Sequence, residues 1–258
     1  MRIVFFGCTK FSERLLDYLL NNGNTIVGIF SIPEEFEISY SKKKVKNTNF
    51  ADFELISNKN NIPYYEIDSV SGKKTSDFYD DINNLKPDVI LVLGWYYMVP
   101  KAIRQIPKYG AWGIHASVLP NYAGGAPLVW AMIEGAEETG VTLFRMDGGV
   151  DDGDIIAQER FSILENDTIK EVYEKATLAS IKILDSVLKS TDIKFLPQDK
   201  SKIKVYPQRN PEDGLINWSW DSRRLKNFIR AQTKPYPGAY TIINGKKIII
   251  WDAKIEDL

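Results

Sequence analysis

Apolar residues in this chain fall into short unbroken runs separated by stretches of helical period, the alternation expected of an α/β fold with a buried parallel sheet. Arg2–Phe6 is β-branched and aromatic and stops at Gly7, as a buried strand does. Behind Thr9, a capping residue, Phe11, Leu15, Leu16 and Leu19 recur at helical spacing, and Gly23 supplies the stop. Thr25–Phe30 is a second buried strand, so the chain opens on a strand–helix–strand unit. Further strands are predicted at Ile62–Ile67, Trp112–Ile114, Gly140–Met146 and Ile155–Ile163, with helices at Phe53–Ser57, Asp77–Leu85 and Leu128–Glu134. Asp88–Leu93 is the most continuous apolar strand, which places it centrally in the sheet. Thr168 and Glu171 form a capping-box pattern. It opens a long helix with Ile169, Val172, Tyr173, Ala176, Ile183 and Val187 turned inward.

Between these elements, residues 31–50 are polar and carry Lys42, Lys43, Lys44 and Lys46, and read as a long exposed loop. A loop at the carboxyl end of a strand also borders the ligand crevice of such sheets, so contact with a phosphorylated substrate is the alternative to plain solvated surface. After about Ser190 the pattern changes. Gly214–Asn217 reads as a strand and Ser222–Ala231 as a helix, followed by a Pro235-Tyr-Pro-Gly238 turn. Asn244-Gly245 then joins Ala239–Ile243 to Lys246–Trp251 in a hairpin. The expected architecture is α/β: a doubly wound, mostly parallel, Rossmann-like sheet over 1–195 and a small β-rich C-terminal unit over 196–258.

The chain has 258 residues, 44% of them apolar, with 33 basic and 34 acidic side chains, and is long enough to bury a sizeable core. That balance gives a net charge of −1, which does not suggest a dedicated nucleic-acid binder. Cys8 is the only cysteine, which rules out an intrachain disulfide and a cysteine-cluster metal site. The opening apolar run is too short for a signal peptide, and no stretch approaches the roughly 18 apolar residues of a membrane span. A cytoplasmic protein with no membrane partner is expected.

Candidate chemistry concentrates in two segments. The only histidine, His115, lies in Gly113-Ile-His-Ala-Ser-Val-Leu-Pro-Asn-Tyr-Ala-Gly-Gly-Ala-Pro127, and Asp147-Gly-Gly-Val-Asp-Asp-Gly-Asp154 follows. An imidazole titrating near neutrality can accept a proton from an amine attacking a carbonyl. A carboxylate beside it would orient the ring and favour its charged form. Asp151 is the candidate partner, with Gly148, Gly149 and Gly153 allowing that turn to approach another loop closely. The acidic turn also has some calcium-loop character, but the twelfth position from Asp147 is Gln158, where a bidentate Glu belongs. Gly7-Cys-Thr-Lys-Phe lacks the G-x-G-x-x-G of a dinucleotide site.

The order and spacing of four segments resemble the formyltransferases that use N10-formyltetrahydrofolate. They are His115-Ala-Ser-Val-Leu-Pro120, Tyr122-Ala-Gly-Gly-Ala-Pro127, Glu138-Thr-Gly-Val-Thr142 and Val150-Asp-Asp-Gly-Asp154. The methionyl-tRNA and sugar N-formyltransferases are the nearest kinds. The resemblance covers essentially the whole chain and implies His115 and Asp151 as catalytic residues. It also implies a folate lying along Ser117, Val118, Leu119 and Pro120, with its pterin against Tyr97, Met98 and Val99. That chemistry requires no metal. One departure stands out: the family's catalytic Asn falls on Gly113, which has no side chain to donate to an oxyanion. Losing such a donor costs roughly 10²–10³ in rate unless a backbone N–H, Asn121 or water replaces it.

The tRNA-modifying members resemble this chain through Asp213-Gly-Leu-Ile-Asn-Trp-Ser219 and Lys234-Pro-Tyr-Pro-Gly-Ala239, then continue into a full β-barrel. With one hairpin and near-neutral charge here, the expected acceptor is a nucleotide-linked amino sugar rather than tRNA. Lys42–Lys46, Trp95, Tyr96 and Tyr122 would receive its diphosphate and base. A homodimer is expected, as is common among the sugar enzymes. The alternatives are a methionyl-tRNA formyltransferase or other formyl-folate enzyme, and a catalytically weak folate- or sugar-binding relative.

Overall fold

The computed structural model describes residues 1–37, 44–68 and 72–256. In chain order the elements begin with β1 (Arg2–Phe6), α1 (Lys10–Asn21), β2 (Thr25–Ser31), β3 (Glu35–Phe36), β4 (Val45–Lys46), α2 (Phe53–Asn60) and β5 (Tyr64–Glu66). There follow α3 (Tyr79–Asn84), β6 (Val89–Val92), α4 (Lys101–Arg104), β7 (Ala111–His115), β8 (Ala123–Gly124), α5 (Pro127–Ile133), β9 (Glu138–Arg145) and β10 (Ile155–Ser162). The last are α6 (Ile169–Lys189), β11 (Val205–Tyr206), α7 (Ser222–Arg230), β12 (Ala239–Ile243) and β13 (Lys246–Ile250). The chain forms two compact units. One comprises Met1–Ile114, Leu143–Gly148 and Leu184–Phe195; the other comprises His115–Thr142, Gly149–Ile183 and Leu196–Leu258.

The first unit holds a parallel sheet ordered β7-β6-β1-β2-β5. Val4 pairs with Ile90, Ile90 with Ala111, Phe5 with Ile29 and Ile29 with Tyr64. β6 has a strand on each side and all four of its residues are buried, which explains its uninterrupted apolar sequence. Phe6 and Phe30 stack at 4.7 Å in the core, together with Val4, Ile90 and Val92. Thr9 caps α1 as its sequence position implies: the Ser12 amide donates to Thr9 Oγ1 at 3.3 Å, and the Thr9 amide donates to Ser12 Oγ at 2.8 Å. Such a box is worth about 1 kcal/mol.

The expectation of an exposed loop over 31–50 is corrected. β3 and β4 pair there, and Ile32, Phe36 and Asn47 are buried. Phe36 packs against the rings of Tyr96 and Tyr97, and Asn47 Nδ2 donates to the Cys8 carbonyl at 2.8 Å. Apolar burial and one side-chain amide therefore tie the stretch down despite its polar composition. Lys42 and Lys43 lie outside the described residues.

In the second unit β10 runs beside β9, and β8 pairs in parallel with β11, Ala123 opposite Val205 and Gly124 opposite Tyr206. α5 packs against α7. β12 and β13 form the expected antiparallel hairpin with Ile243 opposite Lys246, and Asn244 and Gly245 both have positive φ, as a two-residue turn of this twist requires. Two expectations fail here. Gly214–Asn217 is not a strand, because the capped turn at Pro211–Gly214 consumes its start; a single bridge from Leu215 to Tyr240 remains. Tyr173 does not face inward: it is 37% exposed, and its hydroxyl meets that of Tyr236. A phenol on the long helix α6 gains more from that polar partner than from the core. Among the described residues, no helix is long and apolar enough to cross a membrane.

Candidate active site

His115 is the last residue of β7, and both it and Asp151 belong to the second unit. Although 36 positions apart in sequence, their side chains meet, with His115 Nδ1 3.4 Å from Asp151 Oδ2. Their side chains are 9% and 21% exposed, a partly buried setting that keeps solvent screening low. Asp151 adopts φ +50°, in the left-handed region that Asp tolerates better than most residues. This conformation, with two anchors, aims the carboxylate. Oδ2 accepts from the Gly124 amide at 2.8 Å, and Gln198 Nε2 donates to the carbonyls of Asp151 at 2.8 Å and Gly153 at 2.7 Å.

The imidazole's other nitrogen fixes its tautomer. His115 Nε2 lies 2.7 Å from the Tyr122 carbonyl, which can only accept, so Nε2 carries the hydrogen. In the neutral ring Nδ1 is then bare, with its lone pair facing the Asp151 carboxylate. Protonation at Nδ1 turns that facing pair into a salt bridge. The arrangement is therefore that of a base that takes its proton on Nδ1 and holds it beside a carboxylate. Tyr122, whose carbonyl sets this up, is itself at φ +54°. Its hydroxyl donates to Glu134 at 2.9 Å, and burial together with that carboxylate raises its ionisation well above the usual phenol range.

Behind the histidine, Ser117, Val118 and Leu119 are buried and Pro120 is partly so; the Leu119–Pro120 peptide is cis. This segment is braced by two side chains. Thr142 Oγ1 donates to the Ser117 carbonyl at 2.7 Å and accepts from the Leu119 amide at 3.0 Å, while Gln158 Nε2 donates to the Leu119 carbonyl at 2.8 Å. Ser117 Oγ donates to the Asn121 carbonyl at 2.6 Å. In the first unit, Tyr97, Met98 and Val99 follow β6. Tyr97 is half-buried, with its hydroxyl donating to the Glu37 carbonyl at 3.1 Å; Val99 is buried; Met98 is 77% exposed. Of the aromatics expected to meet a nucleotide, Trp95 packs edge-on against Phe6 and Tyr96 bonds Asn47.

Gly113 does not need to be glycine for its backbone, since its φ is not positive. A Cβ there would lie 3.2 Å and 3.3 Å from the Phe144 ring and 3.6 Å from Met146 Cγ. Two glycines of the acidic turn differ from expectation: a Cβ on Gly148 would meet nothing within 4 Å, and one on Gly149 would first meet the Asp152 carboxylate of its own turn. Close approach is made instead by Gly124 and Gly125, where a Cβ would sit 2.5 Å from the Tyr206 carbonyl and 2.4 Å from Gln208 Cα. Sequence reasoning missed the bracing roles of Thr142, Gln158 and Gln198. Thr142 had a signal, its place in the Glu138–Thr142 segment; nothing pointed to Gln198.

A sequence model described as formyl transferase matches residues 1–188, and one described as formyl transferase, C-terminal domain, matches residues 209–258. The chain belongs to the formyl transferase family. It is thus an enzyme of the transferase class. It is similar to the methionyl-tRNA formyltransferase of Alkaliphilus oremlandii, with 31% identity over 99% of this chain and 80% of that relative. It is 37% identical to the bifunctional polymyxin resistance protein ArnA of Wigglesworthia glossinidia brevipalpis, over 99% of this chain but 38% of that one. Among solved structures, the sugar 3N-formyl transferase WlaRD, crystallised with dTDP and 5-N-formyl-THF, superposes with a TM-score of 0.71. It shares 24% identity over 96% of this chain and 85% of its own, a likeness of fold. The sequence relatives thus favour the tRNA enzyme, the second of the acceptors considered from sequence, over the amino sugar.

Proposed function

We propose that this protein transfers a formyl group from N10-formyltetrahydrofolate to a primary amine, with His115 and Asp151 as its catalytic residues. The observation that carries the reading is the 3.4 Å approach of His115 Nδ1 to Asp151 Oδ2. The formyl-folate supplies an activated formyl carbon. Tyr97, Met98 and Val99 with Ser117, Val118, Leu119 and Pro120 are the segments that would hold it. The exposed Met98 fits that role: an apolar side chain left in solvent six residues past a wholly buried strand is a surface a flat ring can cover. As the amine attacks, His115 Nδ1 takes the ammonium proton, and Asp151 holds the resulting imidazolium. The proton then returns to the departing folate nitrogen. The domain division that accompanies this reading is a catalytic domain over 1–195 and a small domain over 196–258.

For the acceptor we favour methionyl-tRNA, supported by relatives of that name at 31% identity over four-fifths of their length. A nucleotide-linked amino sugar is the second reading, favoured by the net charge of −1, which gives little electrostatic affinity for a polyphosphate chain. A homodimer accompanies the second reading, supported by the exposed Ile242, Ile243, Ile248 and Ile249 of the β12–β13 hairpin. The test is formyl transfer by the purified protein to charged initiator tRNA and to a panel of dTDP-, UDP- and GDP-amino sugars. His115→Ala is expected to lower kcat by about 10²–10⁴, and Asp151→Asn to lower it while keeping the Gly124 hydrogen bond. Undiminished turnover in either variant would overturn the catalytic assignment.

A further inference from the structure

Beyond the catalytic pair, the second unit contains a cavity of about 170 Å³ lined by Ala126, Val129, Arg209, Gln232, Tyr236 and Pro237, among others. That volume holds several waters. Its charged wall is Arg209, whose guanidinium lies over the Trp130 ring at 4.8 Å. Both of its protein hydrogen bonds leave from Nη2, to the Asp213 carbonyl at 2.8 Å and to Gln232 Oε1 at 2.7 Å. No carboxylate lies within ion-pair distance of it among the described residues, and Asp213 instead turns its carboxylate to the Asn210 amide at 2.7 Å. Nη1 and Nε donate to no protein acceptor there. A half-buried guanidinium with no carboxylate in direct contact is costly: burial lowers its ionisation from the usual range, and the more distant charge of Asp213 only partly offsets this. The stacked, planar cation thus keeps N–H donors on Nη1 and Nε, and a phosphoryl oxygen can accept charge-assisted hydrogen bonds from them.

The cavity is also tied to the catalytic pair. Ala126, in its wall, follows Gly124 by two residues, and Gly124 donates to Asp151. Two residues of chain span at most about 7 Å. Gly125 between them donates to the Tyr206 carbonyl at 2.9 Å and lies against the Gln208 backbone, which fixes the spacing. We infer that the Arg209 cavity is a phosphate subsite for the formyl acceptor, anchoring a phosphoryl group while the acceptor's amine reaches His115. This rests on the proposed amine formylation, whose two candidate acceptors share that chemistry as a nucleoside diphosphate or as the phosphodiester of a tRNA 3′ end.

The test is calorimetric titration of the full chain with inorganic pyrophosphate, with UDP and dTDP, and with a CCA trinucleotide. It is applied to the wild type and to Arg209→Gln, Arg209→Lys and Gln208→Glu. At least one phosphate ligand is expected to bind the wild type, at least tenfold more weakly to Arg209→Gln and several-fold more weakly to Gln208→Glu. Arg209→Lys, which keeps the charge but loses the planar cation stacked on Trp130, falls between. Preference for the diphosphates identifies a nucleotide sugar as the source, and preference for CCA identifies tRNA. Gln208 is exposed, so its variant decides the matter if Arg209→Gln does not fold. Absence of phosphate binding to the wild type overturns the subsite, as does unchanged affinity in the folded variants. Binding requires no turnover, so failure of formyl transfer with Arg209-dependent binding intact would reject the proposed reaction and leave the phosphate site standing.

Discussion

A side chain at Gly113 would project toward Phe144, which is almost fully buried in the first unit and cannot readily yield. The Asn that the resemblance implies at this position and a Phe at 144 would therefore compete for one space. Restoring the amide alone is expected to destabilise the protein by about 1–3 kcal/mol through overpacking. Gly113→Asn combined with Phe144→Leu should recover most of that loss, measured as the urea midpoint. If the missing oxyanion donor limits turnover, the double variant gains about tenfold or more in kcat. An unchanged kcat in a folded double variant would mean that another donor already serves. Cys8 gives a second residue-scale outcome. Buried and donating to the Gly94 carbonyl at 3.0 Å, its thiol is pushed up to about 12. Alkylation at pH 8 should therefore proceed only after denaturation; rapid labelling of the native protein would contradict the burial.

At the scale of elements, the short pairing of β8 with β11 bears on Asp151 more than the acidic turn's own glycines do. Gly124 sits at φ +91° and a Cβ would meet the Tyr206 carbonyl at 2.5 Å, whereas Gly148 faces open space. Gly124→Ala is expected to cost more than about 2 kcal/mol, because positive φ and a backbone clash combine. It should also lower kcat, since the Gly124 amide orients the carboxylate. Gly148→Ala should stay within about 0.5 kcal/mol of wild type. Thermal unfolding of the two variants side by side checks the contrast; equal effects would refute the placement of Asp151 against β8.

For the whole molecule, 33 basic and 34 acidic residues leave almost no long-range field to draw in a polyanion. An acceptor that is a small nucleotide should show a KM that changes less than about tenfold between 50 and 200 mM salt. An acceptor contacting many phosphates loses about 10³–10⁵ in affinity over that range. Measuring KM against salt therefore separates the two acceptor readings independently of the panel. A steep dependence would locate local basic surface that the overall balance conceals.

How much of this was legible beforehand differs by element. β6 was readable because a strand with neighbours on both sides must be apolar throughout, and α1 because a cap, a periodic face and a glycine stop are all local features. The hairpin at Asn244-Gly245 was equally local. Segment 31–50 misled because Phe36 and Asn47 are fixed by partners far along the chain, Tyr96 and Cys8, and composition carries no record of them. Likewise the sequence named His115 and Asp151, but not which imidazole nitrogen faces the carboxylate. That depends on the Tyr122 carbonyl and the Gly124 amide, backbone groups common to every residue type, whose positions only the folded loops determine. Arg209 lies at the same limit: one more surface cation on paper, it became a candidate ligand group only once folding stacked it on Trp130 and turned Asp213 away.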